Sequence, residues 1–362
     1  MLDCAAGTEL GSQEHMAAFT RRAIDAHVPL NGAFDLTYRC GLRCVHCYCG
    51  HLVAQRPADA AEMPTATALR LLGEAADAGC MFLLLSGGDP LLHAGFARIY
   101  VEARRLGMVV SVFTNATLVT DEVADLLAEY PPRCVDVSVY GASAEVFDRV
   151  TGVPGSYRRA WRGIERLLAR GVRVSLKTMI LRDNLHEVAL MERRAEELGL
   201  SFRLDPLVTP RLDGDLAPLR QRVEPEAAVA LEYASRKRAQ DLAAYEAREV
   251  ALPPTARQYR CGAGVITFNL DPQGVLRPCL LSREHAFDAA AAGFQAAWRA
   301  ASAAVADPRL PGDPECASCP HVHVCGYCAG LFALETGSAG RHNGYNCGLG
   351  VYRSAIISRL HK

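Results

Sequence analysis

From Ala33 onward the chain alternates short apolar runs with longer stretches of helical period. The runs at 33–38, 80–86, 108–114, 134–140, 172–180 and 200–206 read as strands. Between them, 65–78, 94–106, 120–129, 156–170 and 186–198 place apolar residues on one face at helical spacing. This order predicts parallel strands joined by crossover helices. Six repeats predict an α/β fold built as a partial (β/α)6 TIM-like barrel, short of the closed eightfold form. In barrels of this kind the chemistry sits on loops after the C-terminal ends of the strands.

The flanks read differently. Residues 1–32 are weakly patterned, with a short helix expected around Glu14–Ala26, and form an extension too short for an independent recognition domain. Near 207–223 the pattern gives way to Pro-, Asp- and Arg-rich sequence. A helical pattern then runs from about 224 to 248, and Leu252-Pro253-Pro254-Thr255 reads as a linker. Beyond it come cysteines, glycines and short strands, with the Ala-rich stretch 286–305 read as one helix. The expected division is an N-terminal extension (1–32), a barrel (33–249) and a small cysteine-rich α+β domain (250–362). A length of 362 residues suits a barrel with an appendage better than one compact domain.

The first strand runs into Cys40-Gly41-Leu42-Arg43-Cys44-Val45-His46-Cys47, a C-x3-C-x2-C loop. Three thiolates hold three corners of a cubane [4Fe–4S] cluster and leave one iron open to another ligand. A structural zinc site is the plainer reading of C-x2-C, but zinc asks for four ligands, and this loop offers three plus an out-of-pattern Cys49. The loop resembles the signature of the radical S-adenosylmethionine (SAM) enzymes. That resemblance implies that Cys40, Cys44 and Cys47 hold a cluster whose open iron binds SAM. Reductive cleavage of SAM to a 5′-deoxyadenosyl radical is the activity it implies.

Further loops extend the resemblance. The second strand ends in Ser86-Gly87-Gly88-Asp89-Pro90, where the family usually carries Gly-Gly-Glu-Pro against the amino group of SAM. Paired glycines permit close backbone approach to a ligand, and Asp89 is one methylene shorter than the usual glutamate with the same charge. Alone, the motif would be an ordinary strand-to-helix turn. Phe113-Thr114-Asn115-Ala116-Thr117 follows the third strand, where relatives carry a Thr-Asn-Gly-Thr-like sequence. The resemblance offers Ser138 and Lys177 as contacts to SAM and its carboxylate, each with a satisfied strand-end polar residue as the alternative. His46 stands where relatives place an aromatic against the adenine, and a hydrogen-bonding role beside the cluster is the other reading.

The later cysteines form a second pattern. Cys261 precedes Gly274 and Cys279; then come Cys316-x2-Cys319-x5-Cys325-x2-Cys328, and finally Cys347. On spacing alone two C-x2-C pairs also suit a Cys4 zinc ribbon. The full set resembles the SPASM extension of radical SAM enzymes, with one departure: the last C-x2-C is one residue short. The resemblance implies two auxiliary [4Fe–4S] clusters, making three in all. Cys316, Cys319, Cys325 and Cys347 would hold the outer one; Cys261, Cys279 and Cys328 the inner one, with no fourth cysteine in the stretch just before Cys261. Sulfatase-maturing relatives carry an Asp after the second SPASM cysteine, where this chain has Leu280. An aspartate ligand like that of the pyrroloquinoline quinone maturase is not apparent, although Asp271 and Asp313 are near.

Composition trims the functional classes. Fourteen cysteines without a secretory signal pattern point to metal rather than a disulfide framework, and to a cytoplasmic setting. Lys plus Arg at 39 against Asp plus Glu at 40 gives no nucleic-acid footprint, and the apolar runs are too short to span a membrane. The remaining Cys4, Cys49, Cys80 and Cys134 read as small apolar residues. The resemblance makes a ribosomally synthesised peptide the expected substrate, receiving a crosslink or another oxidative change. It also implies an external electron donor such as flavodoxin or ferredoxin; with residues 1–32 too short for a recognition domain, leader recognition is expected to need a separate leader-peptide-binding protein or another surface. A small molecule such as a haem precursor is the alternative substrate. A non-catalytic iron–sulfur electron carrier or a zinc-stabilised binding protein is the alternative of another class.

Overall fold

The computed structural model describes residues 12–49, 62–235, 238–240, 242, 258–307 and 312–360. The expected linker at 252–255, the end of the helical pattern near 248 and Cys4 lie outside them. Six strands follow the expected order: β1 (Asn31–Thr37), β2 (Phe82–Gly87), β3 (Val109–Thr114), β4 (Cys134–Ser138), β5 (Val174–Met179) and β6 (Ser201–Asp205). Each pairs in parallel with the next. The helices Thr65–Asp77, Phe96–Arg105, Asp121–Glu129, Ser156–Ala169 and Val188–Glu197 connect them.

Alternation along the strands builds the layers. Leu83, Leu85, Val110, Val112, Val135, Val137 and Leu176 face outward and pack into one core with Leu71, Ile99, Leu127, Ile164 and Ala195 of the helices. The other set includes Asp35, Ser86, Asp136, Ser138 and Lys177. Period two therefore puts polar chemistry on the concave side of the sheet. Closed barrels fill that interior with apolar side chains; here it is available for a ligand.

The sheet does not close. Its order is β6-β5-β4-β3-β2-β1-β7-β8-β9, with β7 (Thr267–Leu270), β8 (Val275–Arg277) and β9 (Phe287–Asp288) extending it past β1. β7 lies parallel to β1, pairing Asn31 with Thr267 and Phe34 with Leu270, while β8 and β9 are antiparallel. The cysteine-rich region thus continues the same sheet.

Two expectations about helices need correction. Residues 286–305 are not one helix: the strand β9 leads into Ala289–Ala292, and a second helix, Phe294–Ala306, follows a break at Gly293. Gly293 has φ of 86°, and Glu74 accepts from the Phe294 amide at the start of the second helix at 2.6 Å. A further helix, Ala144–Thr151, stands between β4 and Ser156–Ala169.

Candidate active site

The cysteine loop leaves β1 without regular structure and is strapped from three sides. Arg43 and Val45 donate to the carbonyls of Thr151 and Val150 at the end of the Ala144–Thr151 helix, at 2.8 and 3.0 Å. Leu212 donates to Tyr48 O at 2.9 Å. On the β2 side, Gly88 donates to Thr37 O at 2.7 Å and Asp89 to Arg39 O at 2.9 Å.

The glycine pair has a local reason. Gly87 has φ of 127°, and a Cβ there would stand 2.1 Å from Thr37 O; one on Gly88 would stand 2.4 Å from Arg39 O and Tyr38 O. The close approach is to the cysteine loop itself, and it sets the two loops edge to edge. Asp89 is fully buried, and its carboxylate accepts from Thr114 Oγ1 at 2.8 Å, Asn115 N at 3.2 Å and Leu91 N at 3.1 Å. Burial pushes its pKa up to about 6 against the pull of these donors. Asp89 therefore ties the β2 loop to the β3 loop, and Pro90 begins the short 3-10 turn Pro90–Leu92 behind it.

These loops enclose a cavity of about 270 Å³ lined by Cys40, Cys44, His46, Cys47, Gly87, Gly88, Ser138 and Lys177, among others. Burial raises the Cys40 thiol to about 11 and the Cys44 thiol well above its usual range. Any metal group that they bind would have to displace their protons. His46 is half-buried, 4.6 Å from the Tyr140 ring edge-to-face, and its Nδ1 is enclosed without a hydrogen-bond partner. Burial lowers its pKa to about 4, so the ring is neutral.

Lys177 Nζ lies 3.0 Å from the centroid of the Phe113 ring, and Arg203 stands 5.7 Å from the same ring. Burial lowers the Lys177 pKa to about 7; Asp136 opposes the fall, Arg203 adds to it and Asp205 opposes it. Two basic side chains thus stand against one aromatic ring at the β5–β6 side of the cavity, where Asp205, Val208 and Thr209 complete the wall. Asn115, Arg203 and Tyr140 are lining residues that motif reading gave no role. Asn115 and Tyr140 lie just past the ends of β3 and β4, and Arg203 is the middle residue of β6, paired with Lys177.

The remaining cysteines fall into two groups. Cys279 interacts electrostatically with Cys328 and Cys261, and Cys328 with Cys261. Cys328 caps the helix Ala329–Thr336, and Gly330 packs so closely on Leu281 that a Cβ would stand 2.8 Å from that backbone. Cys316 interacts with Cys325, Cys347 and Cys319. Beside it, Asp313 accepts from the His342 amide at 2.6 Å and ring Nδ1 at 2.8 Å, and also caps Glu315 and Cys316. Among the described residues, Asp313, Cys316 and His342 form a set with ligand atoms all within 4.8 Å, whereas no three cysteine sulfurs lie that close together. Asp271 is occupied by the Gln273 and Val275 amides and by Arg277. Cys49 is buried with its sulfur 3.8 Å from that of Cys47, and Cys80 is buried in the core.

Comparison with known proteins points one way. The Radical SAM superfamily model matches residues 34–194. The AdoMet-dependent heme synthase of Methanosarcina barkeri is 35% identical over 167 residues, which is 46% of this chain and 47% of that protein. The chain spans less than half the length of the heme synthases it matches. Mycofactocin maturase MftC of Mycobacterium tuberculosis is 27% identical over 317 residues, 84% of this chain and 78% of that protein. Among solved structures, Streptococcus suis SuiB bound to precursor peptide SuiA superposes with a TM-score of 0.68 at 16% identity, over 96% of this chain and 83–84% of SuiB across its crystal structures. At that identity the likeness is one of fold.

Proposed function

We propose that this chain, a member of the radical SAM superfamily through residues 34–194, cleaves SAM reductively to abstract hydrogen from a ribosomally synthesised peptide. The peptide would leave with a crosslink or another oxidative change. The observation that carries this is the cavity on which Cys40, Cys44 and Cys47 open together with Gly87, Gly88, Ser138 and Lys177. When bound, the cluster and SAM supply an electron and a carbon-centred radical, chemistry no side chain offers. The three thiols fit such a cluster: all three line one cavity, and three thiolates leave one iron open to SAM.

The chain's own residues hold and screen. Gly87 and Gly88 present backbone to SAM, the neutral His46 ring offers an adenine-sized face, and Lys177 offers charge to the carboxylate. Asp89 acts on the amino group only indirectly, through the loop it fixes. Arg203, Asp205, Val208 and Thr209 form the side from which substrate enters.

Two auxiliary [4Fe–4S] clusters complete the proposal, held by Cys316, Cys319, Cys325 and Cys347 and by Cys261, Cys279 and Cys328. What supports clusters over a Cys4 zinc ribbon is that all seven cysteines, and not only the two C-x2-C pairs, follow the SPASM spacing, apart from the one short interval before Cys328. A peptide is favoured over a haem precursor because the MftC match covers 84% of this chain, more than the barrel alone, whereas the heme synthase match covers 46%. An external donor such as flavodoxin or ferredoxin would supply the electron, and a separate protein would present the leader peptide. Among the described residues no helix is long and apolar enough to cross a membrane; a cytoplasmic setting is part of the proposal.

The test is anaerobic reconstitution followed by dithionite reduction. The expected result is about twelve iron per chain and release of 5′-deoxyadenosine that Cys40→Ala abolishes. Intact clusters with no 5′-deoxyadenosine would refute the activity. Zinc in place of iron at 316–347 would refute the auxiliary clusters. Candidate peptides encoded beside the gene, assayed by mass spectrometry, decide the substrate.

A further inference from the structure

Asn115 follows β3 and reaches across to the cysteine loop, where its Nδ2 donates to the Cys40 sulfur at 3.4 Å. The residue is 6% exposed. Its amide is locked in one orientation: Oδ1 accepts from the Thr117 amide at 3.0 Å and the Thr117 hydroxyl at 2.5 Å. A backbone N–H can only donate, so the amide oxygen belongs on the Thr117 side and the nitrogen on the Cys40 side. The Asn115 backbone is fixed as well, by donation to Asp89 at 3.2 Å. The same sulfur receives Leu42 N at 3.4 Å from within its own loop. Asn115 is the donor that comes from another strand.

We propose that Asn115 is a positioning residue for the cluster at Cys40, holding a hydrogen bond on that thiolate and so raising the cluster's reduction potential. This rests on the reading of Cys40, Cys44 and Cys47 as cluster ligands. Reduction adds a negative charge that the cluster shares with its thiolates. A donor aimed at one of them stabilises the more negative state, and hydrogen bonds to the sulfurs are among the factors that set such potentials. Thr117 acts one step further out, by keeping the amide from rotating.

The experiment compares reconstituted wild type with Asn115→Leu, Asn115→Ala and Thr117→Val. Iron content is measured, and the midpoint potential is followed by EPR-monitored redox titration. The signal that changes on adding SAM identifies the cluster with the open iron. The expected result is unchanged iron, a more negative midpoint in both Asn115 variants, and a smaller shift of the same sign in Thr117→Val. Full iron with a SAM-responsive cluster at the wild-type potential in Asn115→Leu and Asn115→Ala overturns the inference. Should the Asn115 variants fail to load iron, Thr117→Val decides, and a wild-type midpoint there overturns it. A wild-type protein without a SAM-responsive cluster refutes the cluster reading itself, and the inference falls with it.

Discussion

At the scale of single residues, Gly88 shows how tightly the two loops are fitted. A methyl group there would meet two carbonyl oxygens at 2.4 Å, both backbone and neither able to swing away. Gly88→Ala should cost more than about 2 kcal/mol and lower iron retention, read by urea denaturation and iron analysis. Lys177 supplies a pH prediction. Between about 7 and 10.5 the unfolded chain binds a proton that the folded chain does not. Stability of the SAM-free protein should therefore rise with pH across that window and be lowest below it. Lys177→Met should flatten the rise, measured by denaturation at the two ends, while SAM affinity falls in a binding titration. That Cys40, Cys44 and Cys47 meet at one cavity was legible because they are close together on one short loop. The partners of Asp89 were not: Thr114 and Asn115 belong to the next repeat, and nothing local records that meeting.

At the scale of elements, strands were legible wherever one face packs on helices, as in Leu83/Leu85 and Val110/Val112. The helix Ala144–Thr151 escaped because eight residues give barely two turns of pattern. It matters more than its size suggests, since its last carbonyls hold the cysteine loop. Gly152 ends it in the left-handed region at φ 66°, with Arg43 O placed 2.9 Å from any added Cβ. Gly152→Ala should cost about 1 kcal/mol from backbone strain alone. Faster loss of iron to a chelator would show that the strap matters to the loop. The stretch 286–305 misled for the opposite reason: alanine carries the helical pattern straight through, and only the conformation of Gly293 breaks it.

At the scale of the whole molecule, buried ion pairs join the cavity wall to the cysteine-rich region. Arg222 donates to Val208 O, beside the cavity, and makes two bonds of 2.8 and 2.7 Å to Glu335. Glu335 lies on the helix that starts after Cys328. Both side chains are largely buried, so Arg222→Ala should cost about 3–5 kcal/mol by stranding the carboxylate. The double variant Arg222→Met/Glu335→Leu should lose far less, and thermal unfolding of the three proteins separates the cases.

The pairing of β1 with β7 has a consequence in time. Asn31 meets Thr267 across more than two hundred residues of intervening chain. At roughly 5–20 residues per second, synthesis would deliver that partner some ten to fifty seconds after β1 itself. Until then the strand that feeds the cysteine loop has one bare edge, open to pairing with a neighbouring chain. A nascent chain of this protein is therefore most exposed to misassembly while its first cysteine loop is already made. Its last strands are what end that exposure.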